Sequence, residues 1–334
     1  MSRVEALALA LALGFAFVLG VSDAPNASSM LIGTRTASYR AAMAFGFTFH
    51  AAGAFIGGTA VAFTIARLVD VAADEVPAAF GAGSLAAILL VTVGARLGIP
   101  VSASVGLVGG LVGAALVAGG ADAVDWGGFD GWRPRGVAGI LVGLAVSPVV
   151  GIGGAWLLRR AIDLALRRAT RRLLRPVRGG IWLGAALVGL SDGTNDGQKA
   201  MGLIAGTLVA TGALDALEVP LWTRAAAGLV LASGTVIGGR RIVSRVGRGF
   251  YRGGPLDGLG AQGSAAGVIF GCTALGLPIS TSAVVASSIV GVGLDRRPRH
   301  VRWAAYGNTV SAWIVTVPAC LALGALFFLV LERL

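Results

Sequence analysis

The sequence predicts an all-α polytopic membrane protein with about ten transmembrane helices, arranged as two inverted five-helix repeats with helices broken at the midplane. Three observations lead there: a composition suited to lipid, apolar runs separated by loops of opposite charge, and two short motifs that each occur twice. Of 334 residues, 56% are hydrophobic and 13% are charged, against roughly 25% charged in an average soluble domain. Mean hydropathy is +0.83. Too little polar surface exists to coat a soluble core of this size, whereas a lipid-facing exterior needs none. The same values exclude disorder. A net charge of +11 is the ordinary result of cationic cytoplasmic loops, so no nucleic-acid partner is expected. Cys272 and Cys320 have no metal-ligand spacing, and His50 and His300 are too few for a zinc or di-iron site.

The apolar runs fall at about 4–21, 41–68, 78–97, 99–119, 136–158, 181–191 continuing at 197–213, 220–239, 259–276, 278–294 and 303–331. Most approach or exceed the ~20 residues a span needs. The first has the look of a signal peptide but leads into a polar motif, so it reads as a retained helix. Gly-interrupted pieces at 26–38 and 197–213 read as second halves of broken helices. The longest polar insert, 159–178, carries eight arginines against one acid, Asp163. Its Ile162, Leu166, Leu173 and Leu174 sit roughly at helical spacing, which predicts an amphipathic interfacial helix on the cytoplasmic face. The chain therefore divides into a first repeat at 1–158, a basic linker at 159–179 and a second repeat at 180–334.

Sidedness follows from the arginines. Loops with Arg35 and Arg40, 159–178, 240–252 and 296–302 are basic and expected inside. Loops with Asp70, Asp74 and Glu75, with Asp122, Asp125 and Asp130, and with Asp215 and Glu218 are expected outside. Ten spans would leave both termini outside. The halves also resemble each other. GVSDAPNA at 20–27 aligns with GTNDGQKA at 193–200, an offset of 173, and LGIPVSAS at 97–104 with LGLPISTS at 275–282, an offset of 178. Five spans per half is odd, so the second copy must enter from the opposite face. Inverted repeats with paired helix breaks mark a secondary transporter.

Four polar clusters interrupt the apolar runs: Ser22, Asp23 and Asn26 around Pro25; Asp192, Thr194, Asn195, Asp196, Gln198 and Lys199; Ser102 and Ser104 behind Pro100; and Ser280, Thr281 and Ser282 behind Pro278. A carboxylate at the bilayer centre costs at least ~2.5 kcal/mol, so three acids at two related positions point to function. Proline followed by hydroxyls suits a half-helix N-terminus, where free N–H groups and the positive dipole end favour an anion. Two such termini could hold one tetrahedral oxyanion, with carboxylates and asparagine carbonyls ligating a small hard cation beside it. Lys199 is the only lysine among 27 basic residues; a compact ammonium retained there fits an electrostatic role in the site. Ser84, Ser233, Ser287 and Ser288 read instead as close-packing positions, and Arg35 and Arg96 as interfacial snorkellers.

These motifs resemble the inorganic phosphate transporter (PiT) family. Its GANDxxNA-type motif matches 20–27 and its HGxNDxQKxMG motif matches DGTNDGQKAMG at 192–202. Its proline–hydroxyl elements match 100–104 and 278–282, and GTVIGGRRIVSRVGR at 234–248 and WIVTVP at 313–318 also fit. The resemblance implies symport of phosphate with sodium ions or protons, in many bacterial members as a neutral complex with a divalent metal. It implies that Asp23, Asn26, Asn195 and Asp196 form the ion and phosphate centre and that Ser102, Ser104, Ser280, Thr281 and Ser282 bond the phosphate. Ser22, Asp192, Ala103, Val105 and Ala283 depart from the family pattern, and the missing histidines argue against an imidazole proton relay. Asp192 adds a carboxylate for a further cation or a carried proton.

The expected function is symport of inorganic phosphate across the cytoplasmic (inner) membrane by a multi-pass protein, not an enzyme and without a cofactor, coupled to Na+ or H+. Asn26, Ser102, Ser104, Asn195, Lys199, Ser280, Thr281 and Ser282 are the candidate substrate ligands. Asp23, Asp192 and Asp196 are the candidate coupling-ion ligands. The alternatives are a permease for sulfate or another oxyanion, and an anion channel. Partners are phosphate, the cation and the lipid bilayer; the sequence leaves a homo-oligomer open.

Overall fold

A computed structural model describes residues 2–97, 101–130, 133–167, 174–237, 250–251, 253–296 and 298–334. Helix α1 spans Arg3–Gly33 and opens on a capping box in which Ser2 and Glu5 bond each other's backbone N–H. It is followed by α2 (Tyr39–Ile56), capped by Ser38, and the short α3 (Ala60–Ala66), bent 73° from α2 at the intervening break. Next come α4 (Val76–Leu97), α5 (Ala103–Gly119) and α6 (Gly136–Ala165). The second half contains α7 (Leu174–Ala210), α8 (Leu221–Ile237), α9 (Pro255–Ala274), α10 (Thr281–Arg296) and α11 (Trp303–Leu331). A two-residue antiparallel β pair, Phe129–Asp130 with Arg133–Pro134, precedes α6.

Five of these helices are individually long and apolar enough to cross a membrane, six counting the bent α2–α3 pair. Helix α11 turns Ile314, Val315, Leu326 and Val330 outward, as a lipid-facing surface requires. The chain is a multi-pass membrane protein.

Two expectations are corrected. The pieces at 26–38 and 197–213 do not begin new helices: α1 runs through Pro25 and α7 runs for 37 residues through its polar motif. One proline removes a single backbone donor, and the α7 polar side chains find partners on other helices, so neither helix needs to unwind. The second correction concerns four of the apolar runs. The turns at 98–102 and 276–280 were expected on opposite faces, a hydrocarbon thickness of ~30 Å apart. Yet Ser102 Oγ and Ser280 Oγ are 2.9 Å apart. Helices α4–α5 and α9–α10 are therefore two hairpins whose tips meet inside the protein, and each returns to the side it came from. Pro100 itself lies outside the described residues.

Packing is matched between the halves. Helix α1 lies on α8 and α7 on α2; α5 lies on α11 and α10 on α6; α4 lies on α1 and α11, and α9 on α7 and α6. Exchanging α1, α2, α4, α5 and α6 with α7, α8, α9, α10 and α11 leaves this set of contacts unchanged. Glycines at matched positions permit the closest crossings. A Cβ would stand 1.9 Å from the Leu231 carbonyl oxygen at Gly20 and 2.1 Å from that of His50 at Gly193. The corresponding distances are 2.0 Å from Leu321 O at Gly113 and 2.3 Å from Ile152 O at Gly291. Small residues that let backbones touch are how membrane helices associate.

The basic segment at 159–179 is shared between two helices. Arg159 to Ala165 complete α6 and Leu174 opens α7, while 168–173, Leu173 included, lie outside the described residues. Arg159 is buried and bonds Asp163 on its own helix and Asp257 at the start of α9, the latter at 2.6 Å. The basic loop at 240–252 is described only at Phe250 and Tyr251, and the motif at 234–248 only as far as Ile237.

Candidate functional site

Four elements converge on one buried polar centre: α1, α7 and the two hairpin tips. On α7, Asp192, Asn195, Asp196 and Lys199 recur at helical spacing and share one face; Asp23 and Asn26 do the same on α1. All are less than 5% exposed, as are Ser102, Ser104 and Thr281; Ser280 is 5% exposed and Ser282 is half-buried. The expected site residues are thus brought together, although the two halves of the sequence hold them 255 residues apart in the case of Asn26 and Thr281, whose side chains bond at 3.3 Å.

Lys199 is the hub. Its ammonium donates to the Asp196 carboxylate, to Ser104 Oγ of the first tip at 2.6 Å and to the Ile279 carbonyl of the second at 2.7 Å. Three protons meet three acceptors, so this buried charge is fully satisfied. The second oxygen of Asp196 accepts from Thr281 Oγ1 at 2.9 Å, and Asp23 accepts from the Ser282 hydroxyl. Ser102 caps α5, accepting from Val105 N at 3.4 Å, while its hydroxyl meets Ser280 across the tip contact.

Asn195 and Asp192 have partners of their own. Asn195 clamps the second tip: its amide donates to Thr273 Oγ1 at 2.8 Å and Leu277 O at 3.1 Å, and its carbonyl accepts from Ile279 N at 3.4 Å. Asp192 lies beside His50 of α2, with Oδ2 3.6 Å from His50 Nε2 and both groups fully buried. His50 Nδ1 donates to the Gly46 carbonyl at 2.8 Å. With Nδ1 committed as donor, Nε2 and the carboxylate attract only if a proton lies between them.

Sequence reasoning passed over His50, Thr273 and the structural task of Gln198. The last caps α3, its Oε1 accepting from Val61 N at 2.8 Å and Ala62 N at 3.4 Å. One signal was available for His50: an ionisable residue within an apolar run is a functional candidate by default.

A buried centre of paired acids, amides and one ammonium, gripped between two hairpin tips in a multi-pass helical protein, is the kind of centre a membrane transporter holds. The comparisons place it more closely. Residues 19–175 and 167–324 match the phosphate transporter family, and the chain belongs to that family. A protein of Mycobacterium tuberculosis (strain ATCC 25618 / H37Rv) described as a "probable low-affinity inorganic phosphate transporter" is 36% identical over 94% of this chain and 74% of its own. Relatives of the same description from Rhizobium meliloti and Bacillus subtilis are 32% and 31% identical, covering 96% and 97% of this chain and 94% and 96% of theirs. A solved structure described as "The sodium-dependent phosphate transporter" superposes with a TM-score of 0.88 over the whole of both chains at 22% identity, which establishes the shared fold.

Proposed function

We propose that this chain is a secondary active transporter that carries inorganic phosphate inward across the cytoplasmic membrane as a symporter with a cation, sodium or proton. Residues 1–158 and 180–334 act as inverted repeats that rock about the centre. The observation that carries the reading is the contact between Ser102 and Ser280, matched residues of the two halves, beside a carboxylate–ammonium cluster. The matched packing of α1, α2, α4, α5 and α6 with their counterparts supports the repeat. Phosphate sits at the tip contact, against the N-terminal turns of α5 and α10 and the hydroxyls of Ser102, Ser104, Ser280, Thr281 and Ser282. Lys199 supplies positive charge there, and Asn26 and Asn195 shape the tip.

Charge balance supports a place for the coupling ion. Asp196 is matched by Lys199 and Asp192 faces His50, whereas Asp23 accepts from the neutral hydroxyl of Ser282. An uncompensated buried carboxylate is costly, so a coupling cation at Asp23, shared with Asp196, would restore neutrality in the loaded state. The test is radiolabelled phosphate uptake into proteoliposomes under a sodium or a proton gradient, with sulfate as unlabelled competitor. Concentrative uptake under one gradient, unaffected by sulfate, supports phosphate symport and names the ion. Dissipative flux under neither gradient indicates a channel, and competition by sulfate indicates a broader oxyanion permease.

A further inference from the structure

A cavity of about 270 Å³ lies between α3, the segment entering α6 and the turn after α9, lined among others by Phe63, Thr64, Arg67, Arg135, Gly136 and Leu277. That is several times the ~30 Å³ share of one water in the liquid, enough for a tetrahedral anion with part of its hydration shell. Two guanidinium groups, Arg67 and Arg135, and one acid, Asp125, line it. Asp125 already accepts from Gly127 N at 3.0 Å. Arg67 lies over the Phe63 ring, 5.9 Å from its centroid, and enters no ion pair among the described residues. Both arginines border the acidic loops at 70–75 and 122–130, on the side where arginine runs against the positive-inside trend. They add positive charge beside those acids.

The cavity backs onto the polar centre through a single turn. Leu277 lines it, while the Leu277 carbonyl accepts from Asn195 and the Ile279 carbonyl accepts from Lys199. Thr64 Oγ1 holds the same turn from the cavity side, donating to the Gly276 carbonyl at 2.7 Å. Gly276 has a φ of +72°, in the region where glycine is least strained. The first N–H groups of α6 are taken, Val137 N by Asp125 O and Ala138 N by Trp126 O. An anion here is therefore held by guanidinium, with the α6 dipole as background.

We propose that this cavity is a second, outer oxyanion site in which Arg67 captures phosphate on its way to the centre behind the 275–279 turn. The proposal rests on the phosphate transport proposed above. Initial rates of radiolabelled phosphate uptake into proteoliposomes, measured against phosphate and KCl concentration, test it with Arg67→Gln, Arg67→Lys and, as a control, Arg333→Gln at the exposed C-terminus. Arg67→Gln is expected to raise KM up to about fivefold, the upper range for an exposed ion pair, more than it changes the maximal rate. It should also flatten the rise of KM with salt, and Arg67→Lys should restore most of both. A wild-type KM and salt response in Arg67→Gln, or the same shift in Arg333→Gln, overturns the outer site while leaving the transport reading intact. Absence of phosphate uptake by the wild type overturns the transport reading and the outer site with it.

Discussion

Among the described residues, the two hairpin tips carry matched sequence motifs and unequal restraints. The second tip is held by Asn195 at Leu277 and Ile279, by Lys199 at Ile279, by Asp196 at Thr281, by Asp23 at Ser282 and by Thr64 at Gly276. The described part of the first tip is held by Lys199 at Ser104 and by the contact of Ser102 with Ser280. The side chains explain the difference. Thr281 offers a hydroxyl to Asp196 where its counterpart Ala103 has none to offer Asp23. The counterpart of Asn195 in the first motif is Ser22, which is too short to clamp a tip. Among the described residues, side chains of the centre thus hold 279–282 at more points than 101–104.

The largest effect is expected at the hub that joins the tips. Lys199→Met leaves Asp196 buried without its ammonium; breaking such a pair costs about 3–5 kcal/mol. The variant should lose phosphate uptake and unfold at markedly lower temperature in detergent, and wild-type values for both would remove Lys199 from the hub. A smaller effect is expected from Asn195→Ala, which frees Thr273, Leu277 O and Ile279 N. Loss of about 2 kcal/mol should loosen the second tip until its proteolysis and exchange rates approach those of the first. Equal protection before and after the substitution would break the contrast between the tips. The smallest effect sharpens the contrast. Ala103→Thr restores the missing hydroxyl opposite Asp23 and should lower KM for phosphate about twofold to threefold, the size of a weak membrane hydrogen bond of ~0.6 kcal/mol. A raised KM would mean that the position is filled by packing alone.

What was legible in the sequence follows the same physics. Asp23, Asp196, Lys199 and the two Pro-x-Ser motifs stood out because polar groups are costly in an apolar run, and the matched offsets linked them before any coordinates. The hairpins were not legible, because a limb that turns back inside the protein is as apolar as one that crosses, and hydropathy does not distinguish them. The pairing of His50 with Asp192 was hidden for another reason: the two are 142 residues apart and only the α2–α7 crossing at Gly53 and Gly193 brings them together. Pro25 misled in the other direction, since a proline marks a break only where neighbouring contacts do not sustain the helix.

The contact between the two tips bears the whole account and can be measured directly. In a protein whose Cys272 and Cys320 are replaced by serine or alanine, Ser102→Cys and Ser280→Cys place two thiols where the hydroxyls now stand 2.9 Å apart. Oxidation in membranes should link them into a disulfide, with the chain cleaved between the halves remaining joined on a non-reducing gel, and phosphate should slow the linkage. Failure of the inserted protein to cross-link under oxidant would return the two turns to opposite faces and contradict the hairpins and the shared centre together.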